Sequence, residues 1–449
     1  MKRRYPSYCD SAVNWLGDVP SHWDVTRLKF VASTNDEVLS ENEDPLRTIE
    51  YVDISSVDST TGIVKTQKMV FEDAPSRARR LVRDGDTIVS TVRTYLRAIA
   101  PVNDPPTDMV VSTGFAVIRP RALERGFASW ALQEHGFVEE IVARSTGVGY
   151  PAINSSEIGV LPVPMPPVRE QHDVADYLDR ETARIDSLIA KQQKLIERLD
   201  EYRTALIART VTQGLPSEAA KAAGLDPSPR MKPSGVEWLG EVPAHWQVVD
   251  NRRLFRERDQ RSDDGDGELL TVSHLTGVTR RSEKPDVGMF MAESLEGYKC
   301  CQAGDLVINT MWAWMGAAGT TTEAGLISPS YNIYTPDTDR LLPEFLDRAY
   351  RSRRYVLGMT SESRGIWSSR LRLYPQQFMS LQTAVPPLPE QVAIVAYIES
   401  VEVRSSRLAA SAHEAIERLH EYRTALISAA VTGKIDVRDA ATAASEAAA

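Results

Sequence analysis

IERLDEYRTALI stands at residues 196–207, and IERLHEYRTALI stands at residues 416–427. The two stretches differ at one position, where Asp200 in the first is matched by His420 in the second. Three further pairs of segments repeat in the same order: VNWLGDVPSHWDV (13–25) with VEWLGEVPAHWQV (236–248), RDGDTIVST (83–91) with QAGDLVINT (302–310), and PVPMPPVREQ (162–171) with AVPPLPEQ (384–391). The chain is therefore one unit of about 220 residues written twice, a variable part followed by a nearly invariant one.

The nearly invariant part of each repeat has the features of a long helix. It follows a proline-rich segment, and neither proline nor glycine occurs between residues 170 and 212. Proline is tolerated at the first turn of a helix, whereas both residues destabilise a helix interior. We therefore predict two long helices, at 168–213 and at 388–434.

A stripe of mostly apolar residues at steps of three and four follows each predicted helix. In the first helix it consists of Leu178, Glu181, Ile185, Leu188, Gln192, Leu195, Leu199, Tyr202 and Leu206, and in the second of Ile398, Val401, Ser405, Leu408, Ala412, Ala415, Leu419, Tyr422 and Leu426. A period of 3.5 residues is typical of a coiled coil. We expect the pair to be antiparallel, because the second helix then begins near the end of the first. The alternative is two unrelated amphipathic helices, each packed on its own core.

The variable parts predict mixed domains. They contain the strand patterns DTIVS (86–90), MVVS (109–112), FAVI (115–118), DLVIN (305–309) and YNIY (331–334), and the helix-like stretches 128–143 and 342–358. The predicted fold is α/β (mixed α+β): two mixed α/β domains separated by two long antiparallel coiled-coil helices, with a pseudo-twofold internal repeat. The predicted boundaries are 1–167 for the first domain, 168–213 for the first helix, 214–234 for a linker, 235–387 for the second domain, 388–434 for the second helix and 435–449 for a disordered, alanine-rich tail.

Composition restricts the classes of function. The sequence has no run of eighteen apolar residues, which predicts no membrane span, and its start does not resemble a signal peptide. The three cysteines form no CxxC pair, so we expect a reducing, cytoplasmic environment without a zinc site or a disulfide framework. The net charge of −10 argues against nucleic-acid binding when taken alone, but a binding surface needs only local positive charge.

Positive charge is concentrated in two short stretches of the variable parts. Residues 77–97 and residues 351–372 each contain six arginines, interleaved with aromatic and hydroxyl side chains. Arginine binds phosphate and the edge of guanine, so this pattern indicates nucleic-acid contact; the alternative is a solvated surface. The candidate DNA-binding residues are Arg77, Arg79, Arg80, Arg93, Tyr95, Arg97, Thr146, Tyr150, Trp312, Trp314, Arg364, Trp367 and Arg370. For the three tryptophans, core packing is an alternative of at least equal weight.

Motifs for catalysis are incomplete. NDPPT (103–107) resembles the motif with which amino methyltransferases hold the target amine, but Thr107 replaces the aromatic residue that stacks on the base, so a proline turn is favoured. STGVGY (145–150) lacks the strand and helix that frame a cofactor loop. No stretch combines a nucleophile, a base and metal ligands, which predicts a chain without catalytic residues and without a metal site.

The layout as a whole resembles a known family. WLGDVPSHW, then GD with an apolar strand, then PxPPxxEQ, then a long helix ending in EYRTALI, all repeated, is similar to the specificity subunit of type I restriction–modification systems. The resemblance covers essentially the full chain apart from residues 440–449. It implies that each variable part is a target recognition domain for one half of a bipartite, asymmetric site in double-stranded DNA, and that the helices set the distance between the half-sites.

The resemblance also implies partners. Two modification subunits would bind the chain, carry S-adenosylmethionine and methylate adenine, and restriction subunits would cut DNA with ATP and Mg²⁺, so that this chain itself needs no cofactor. The repeated residues off the predicted stripe are the candidate partner-binding set: Glu197, Arg198, Glu201, Arg203, Thr204, Glu417, Arg418, Glu421, Arg423 and Thr424. Solvent-facing residues drift unless something contacts them; recent duplication is the alternative.

Three other functions remain open from the sequence. The first is a self-contained DNA methyltransferase, against which the missing cofactor loop argues. The second is a two-domain adaptor that binds protein through its helices and something other than DNA through its domains. The third keeps the family but lacks restriction, as an orphan modification system.

Overall fold

The computed structural model describes residues 4–40, 42–284, 294–365 and 371–438. The chain divides into two compact units. Unit 1 comprises Met1–Gln192 and Glu414–Ala449, and unit 2 comprises Gln193–His413. Each unit therefore contains one part of each long helix together with one variable part of the chain.

The helices include the two long ones that the sequence predicts. They are α1 Leu28–Val31, α2 Arg125–Gln133, α3 His135–Arg144, α4 Ser155–Gly159, α5 Val168–Gln213, α6 Ser217–Ala222, α7 Pro343–Arg351, α8 Arg353–Glu362, α9 Pro375–Ser380 and α10 Leu388–Val431. Helix α5 begins directly after Pro166 and Pro167, as expected from the tolerance for proline at a helix start. No helix among the described residues is both long enough and apolar enough to cross a lipid bilayer.

Unit 1 is built on two four-stranded sheets. Its strands are β1 Tyr8–Asp10, β2 Asp18–Pro20, β3 Asp24–Arg27, β4 Ala32–Thr34, β5 Thr48–Val52, β6 Val57–Asp58, β7 Gly62–Ile63, β8 Gln67–Val70, β9 Ala78–Leu81, β10 Thr87–Ser90, β11 Ile99–Pro101, β12 Met109–Ser112, β13 Phe115–Pro120 and β14 Pro162–Met165. One sheet has the antiparallel order β11-β10-β13-β4, and the other has the order β8-β5-β12-β9 with β5 and β12 parallel. Strands β3 and β14 form a separate pair.

Unit 2 repeats the first of these sheets. Its strands are β15 Met231–Pro233, β16 Glu241–Pro243, β17 Gln247–Asp250, β18 Phe255–Arg258, β19 Leu270–Ser273, β20 Gly277–Arg280, β21 Lys299–Cys301, β22 Leu306–Asn309, β23 Ala318–Thr320, β24 Gly325–Ile327, β25 Tyr331–Pro336 and β26 Gln382–Val385. The antiparallel order β18-β25-β22-β23 corresponds to β4-β13-β10-β11, and β17–β26 corresponds to β3–β14. In place of the second sheet of unit 1, the described residues of unit 2 form the pairs β19–β20 and β21–β24.

The central strand of the repeated sheet is buried on both faces, as expected for an uninterrupted apolar run. In β10, Val89 belongs to the core that contains helices α2, α3 and α5. Ile88 points to the opposite face, into the core between the two sheets of unit 1. The strand predicted from DTIVS is therefore the centre of the unit and fixes the position of the loop that follows it.

The two long helices pack antiparallel in each unit. In unit 1, Leu178 near the start of α5 shares a core with Ala430 near the end of α10. In unit 2, Val211 near the end of α5 shares a core with Ile394 near the start of α10. The predicted antiparallel pairing is confirmed.

The phase of the packed stripe differs from the prediction at every second step. In α5 the residues turned inward are Leu178, Thr182, Ile185, Ile189, Gln192, Ile196, Leu199, Arg203, Leu206 and Thr210. Leu188, Leu195 and Tyr202 are instead 40%, 43% and 59% exposed, and in α10 Leu408 and Tyr422 are 54% and 47% exposed. The prediction failed here because apolar residues stand side by side, as in Leu188–Ile189, and either phase satisfies the pattern.

Two chain segments are more ordered than predicted. The linker at 214–234 contains α6 and β15. Of the predicted tail, residues 435–438 are packed: Val437 is buried in the core of unit 1 and Ile435 lies against it. Both are apolar, so burial stabilises the ordered conformation. Residues 439–449 lie outside the described residues.

Candidate nucleic-acid interface and partner surface

The repeated GD dipeptide holds the sheet together. Gly85 and Gly304 have φ of +85° and +90°, a left-handed conformation that favours glycine. The Asp86 carboxylate is buried and accepts two hydrogen bonds from Arg119, each 2.8 Å long. Asp305 is equally buried and pairs with Arg258 at 2.8 Å. A buried carboxylate needs such a partner, so this motif repeats for structural reasons.

The repeated EQ dipeptide anchors the start of each long helix to the tryptophan segment. Glu170 accepts hydrogen bonds from Trp23 Nε1 at 2.9 Å and from His22 Nε2 at 2.8 Å. In the second repeat, His245 Nε2 lies 2.8 Å from Glu390. The two histidines therefore have a structural role, in agreement with packing rather than metal ligation.

The glutamine of the same dipeptide joins the helix to the domain. Gln171 Oε1 accepts from the Glu124 backbone N–H at 2.7 Å, and Gln391 Oε1 accepts from that of Leu342 at 2.8 Å. Both glutamines are fully buried. The repeats outside the dodecamer are thus explained by contacts inside each unit.

Two equivalent loops follow the central strands of the repeated sheet. We call residues 91–97 loop A and residues 310–316 loop B. Each contains one turn of 3-10 helix, Thr94–Leu96 or Ala313–Met315. In loop A, Thr91 O accepts a 2.9 Å hydrogen bond from Ile153 N. In loop B, Thr310 O accepts a 3.0 Å hydrogen bond from Leu373 N. Because the scaffolds match, the two loops present different side chains at equivalent positions.

Loop A brings five of the predicted residues of unit 1 together. The Arg93 guanidinium lies over the Tyr150 ring, 4.9 Å from its centroid. Tyr95 and Tyr150 are 53% and 68% exposed, and Arg97 pairs with Glu139 at 2.5 Å. Thr146 lies on the facing segment. In that segment, Ala152 forms backbone bridges with both Val92 of loop A and Thr146. Positively charged and aromatic groups on one surface suit contacts with phosphates and bases.

Backbone strain accompanies this surface. Arg93 and Arg97 both have φ of +52°, in the left-handed region that costs energy for a residue with a Cβ. Gly316 stands at the position in loop B that matches Arg97, with φ of +87°. Arginine is therefore kept in loop A where glycine would be less strained, which indicates a function for its side chain.

The three predicted arginines at the start of β9, Arg77 just before the strand and Arg79 and Arg80 within it, already have partners or are partly buried. Arg77 donates to the Tyr51 hydroxyl at 3.2 Å and to Asp53 at 3.0 Å. The Arg79 guanidinium stacks over the Phe71 ring at 4.7 Å, and burial lowers the pKa of Arg80. Arg77 is linked to loop A through backbone hydrogen bonds. Its carbonyl accepts from Thr113 N, and the carbonyl of the next residue, Gly114, accepts from Thr91 N in loop A.

Loop B carries an aromatic group instead. Trp312 is 47% exposed, and its ring is nearly parallel to those of His274 and Trp314, at 11° and 19° and centroid distances of 6.4 Å and 6.5 Å. Trp314 is more buried, and its Nε1 donates to Met311 O at 3.0 Å. Trp312 is the better candidate for DNA contact, and Trp314 supports it.

Arginines lie beside loop B as well. The predicted Arg364 and the unpredicted Arg372 pair through their backbones, and both are exposed. The Arg372 side chain reaches Met311 of the loop at 3.8 Å. Trp367 and Arg370, also predicted, lie outside the described residues.

Two members of this surface were missed from the sequence. Arg372 belongs to the same arginine-rich stretch as Arg364, so charge clustering could have found it. His274 comes from the turn between β19 and β20, and no local pattern connects it with Trp312.

The repeated dodecamer presents a nearly identical exposed face in both copies. Its exposed positions in the first copy are Glu197, Arg198, Asp200, Glu201, Tyr202, Thr204 and Ala205, and in the second Glu417, Arg418, His420, Glu421, Tyr422, Thr424 and Ala425. Six of these seven positions are identical. We call each set, together with the arginine at 203 or 423, a repeated surface. Tyr202 and Tyr422 were missed, because the predicted phase placed them on the packed stripe.

Arg203 and Arg423 differ from the prediction that they lie off the packed stripe. Both side chains turn toward the helix pair and are only partly exposed. The phase error on the stripe accounts for this, since the position after each tyrosine is the one that packs.

A separate cavity lies in unit 1, away from loop A. Its volume is about 1060 Å³, and its lining includes the carboxylates of Asp84, Asp104 and Asp176. Negative charge repels the phosphates of DNA, so this cavity is a poor candidate for the nucleic-acid interface. Within the described ranges, no cluster of three or more His, Cys, Asp or Glu residues has the arrangement of a metal site.

Comparison with known proteins gives a consistent result, although no family model matches the chain. A Methanocaldococcus jannaschii protein, provisionally named the type I restriction enzyme MjaX specificity subunit, is 24% identical over 257 residues, 54% of this chain and 55% of that protein. The Escherichia coli type I restriction enzyme EcoDI specificity subunit is 23% identical over 196 residues, 43% of this chain and 42% of that protein. The chain thus aligns with about half the length of these relatives.

Solved structures extend the similarity over most of the chain. The crystal structure of the HsdS subunit from Thermoanaerobacter tengcongensis matches with a TM-score of 0.55 and 22% identity, covering 93% of this chain and 98% of that one. A chain from a study of complex assembly and conformational transition of the type I R-M system matches with a TM-score of 0.67 and 21% identity, covering 92% and 98%. In its fold, and in the curated sequences that it matches, the protein is similar to the specificity subunits of type I restriction–modification systems.

Proposed function

We propose that the chain is the DNA-recognition subunit of a type I restriction–modification complex, and that each unit reads one half of an asymmetric, bipartite target. The observation that carries this proposal is the equivalence of loops A and B. They follow equivalent strands, β10 and β22, of the repeated sheet, and each contains one turn of 3-10 helix, yet one exposes Arg93 and Tyr95 and the other exposes Trp312. A common scaffold with different exposed groups suits two different half-sites.

The contacts would combine phosphate binding with base recognition. Arginine side chains neutralise phosphates and can pair with guanine, whereas exposed rings can stack on bases or contact thymine methyl groups. Arg93 with Tyr150 in unit 1 and Trp312 with Arg364 and Arg372 in unit 2 supply these groups. The predicted DNA-binding role of these residues stays a prediction.

The repeated surfaces would bind two copies of one modification subunit, and restriction subunits would join the same complex. The support is that Glu201, Tyr202 and Thr204 recur as Glu421, Tyr422 and Thr424 although all six are exposed. Packing within the chain does not require identical residues at exposed positions. In this assignment the chain is not catalytic: S-adenosylmethionine belongs to the modification subunits, and ATP with Mg²⁺ to the restriction subunits.

Base-resolution mapping of DNA methylation tests the proposal directly. Cells that express the chain with its modification subunit should methylate adenine in a gapped, asymmetric motif that is absent when the gene is deleted. An unchanged pattern of methylation in cells shown to contain the assembled complex would overturn the proposal.

Two binding experiments separate the rival functions. Stoichiometric binding of S-adenosylmethionine to the isolated chain would favour a self-contained methyltransferase. If duplexes carrying random sequence bind neither the chain nor its complex with the modification subunit in a gel shift, an adaptor for other ligands is favoured instead.

A further inference from the structure

The arginine of the repeated surface has different partners in the two copies. In unit 2, Arg203 donates to its neighbour Asp200 at 2.6 Å, and its side chain is 39% exposed. In unit 1, the Arg423 side chain is only 12% exposed. It donates to Asp186 on the facing helix at 3.2 Å and to Thr60 O at 3.4 Å.

Sequence differences explain why Arg203 and Arg423 have different partners. His420 stands where the first copy has Asp200, so Arg423 lacks the adjacent carboxylate that holds Arg203. On the facing helix, Asp186 is matched by Ser406 at the same place in the repeat. A carboxylate therefore lies beside the arginine at the surface in one copy and across the helix pair in the other.

The domain reinforces this difference. The Arg423 guanidinium lies over the Trp130 ring of α2, 5.8 Å from its centroid. The sixth residue of α2 is Trp130, and the sixth residue of the equivalent helix α7 is Arg348, which pairs with Glu402 at 3.0 Å. In unit 1 this position holds an aromatic ring, which attracts a guanidinium. In unit 2 it holds a second guanidinium, which repels one.

We infer that the two repeated surfaces bind the same partner with unequal affinity, and that the copy in unit 2 is occupied first. This inference rests on the proposed binding of two modification subunits. Arg203 donates to Asp200 through Nη2 only, and its side chain, 39% exposed, stays near the surface, where the planar guanidinium can also donate to a partner carboxylate. Arg423 is held against its own unit, so the second copy offers the same exposed residues without that group. Loading of the two partners would therefore be sequential.

Titration of the full chain with the modification subunit of the same organism tests this inference. Native mass spectrometry and isothermal titration calorimetry should resolve two binding steps. Their dissociation constants should differ by about fivefold or more, because arginine is among the residues that contribute most to binding free energy at interfaces. Two steps with the same constant would overturn the inference while leaving the proposed function intact. Failure to bind at either copy would overturn the proposed partner instead.

Two reciprocal variants identify which binding step belongs to which copy of the repeated surface. Ser406→Asp gives Arg203 a carboxylate at the place of Asp186 and should weaken the tighter step. Asp186→Ser removes the partner of Arg423 and should strengthen the weaker step, so that both variants bring the two constants closer together. Ser411→Asp adds the same charge at an exposed position on another face of α10 and should leave both constants unchanged.

The opposite outcomes are equally clear. If Ser406→Asp and Ser411→Asp change the tighter step to the same extent, added charge rather than the position of Arg203 is responsible, and the inference fails. It also fails if Asp186→Ser leaves the weaker step unchanged while circular dichroism and the unfolding midpoint show an intact fold.

Discussion

At the scale of single residues, the carboxylate of the first GD dipeptide, Asp86, is almost fully buried and paired with Arg119. Asp86→Ala would remove the two hydrogen bonds that Arg119 donates to Asp86, and would leave this guanidinium, whose side chain is only 13% exposed, with Glu37 as its close carboxylate partner. Because Glu37 still compensates the charge of Arg119, we expect a loss of about 1.5–3 kcal/mol in the free energy of unfolding. Urea unfolding of unit 1, followed by circular dichroism, measures it.

The matched control is the neighbouring ion pair of Asp84 with Arg125, in which both side chains are more than half exposed. Asp84→Ala should cost much less, because solvent screens an exposed pair. Similar losses for the two variants would contradict the structural role of the GD dipeptide.

The cysteines report on the burial of unit 2. Burial raises the pKa of the Cys301 thiol to about 11, whereas Cys9 is exposed. A raised pKa keeps the thiol protonated at pH 8, and only the thiolate reacts with a disulfide reagent. We therefore expect Cys9 to react at once and Cys301 only after unfolding. Equal rates in native protein would contradict the buried position, and a Cys9→Ser variant assigns the fast phase.

The exposed tryptophan of loop B should contribute to DNA affinity. In the assembled complex, Trp312→Ala should weaken binding to the mapped target by about tenfold, since stacking of one base on a ring is worth about 1–3 kcal/mol. Trp312→Phe should retain most of the affinity because it keeps a ring. Val403→Ala on α10, which truncates an apolar side chain that is 61% exposed, serves as the control in the same gel-shift titration.

A role confined to folding would give a different result for loop B. Trp312→Ala would then lower the unfolding midpoint without changing the affinity of the folded complex for DNA. Binding that is unchanged in Trp312→Ala would remove this residue from the interface.

At the scale of elements, the corrected phase of the helix pair can be tested with two adjacent turns of α5. Ile185 is 4% exposed and Leu188 is 40% exposed, although the sequence pattern places both on the packed stripe. Ile185→Ala should lower the free energy of unfolding by about 2–5 kcal/mol through lost burial and a cavity. Leu188→Ala should cost well under half of that. Equal losses would favour the phase predicted from sequence.

The existence of the elements could be predicted from sequence, but some of their limits could not. The strands around Val89 and Val307 follow from short apolar runs bounded by turn residues, and the helix pair follows from its length and from the missing prolines. The helix-like stretch 128–143 is in fact two helices, separated at Glu134. The backbone there is extended, and the Glu134 side chain caps α3 by accepting from Phe137 N at 2.9 Å. Glutamate is not a preferred cap, so the break carries no clear signal.

The candidate site was only partly accessible from sequence for a similar reason. Residues that follow the central strand, such as Arg93 and Trp312, could be chosen because a repeated strand places its following loop in an equivalent position. His274 and the exposure of Tyr202 depend on how distant elements pack. Local pattern contains no information about that packing.

At the scale of the whole molecule, the repeat predicts that the recognition parts are interchangeable. The sheet β4-β13-β10-β11 and the sheet β18-β25-β22-β23 have the same order and orientation, and each precedes the start of a long helix, so either can stand before either helix. Replacement of residues 235–387 by a second copy of residues 1–167 should therefore give a target with two identical half-sites. Methylation mapping would detect it as a new motif that contains only one half of the original.

A chain with the exchanged part that folds and binds the modification subunit, yet still methylates the original asymmetric motif, would contradict this prediction. The unfolding midpoint and the partner-binding constants of the exchanged chain provide the control for folding. These measurements separate a failure of the fold from a failure of the recognition model.

The left-handed turn at Gly85 and Gly304, with the buried aspartate behind it, has a consequence for how such proteins diversify. The aspartate that anchors the strand lies before it, whereas the candidate DNA-binding groups lie after it. Substitution in loops A and B therefore removes few core contacts, and new exposed residues can be sampled there without a large penalty in folding. If the chain recognises DNA as proposed, a few codon changes in these loops would give a lineage a new methylation motif, and host and viral genomes that lack that mark would become distinguishable at once.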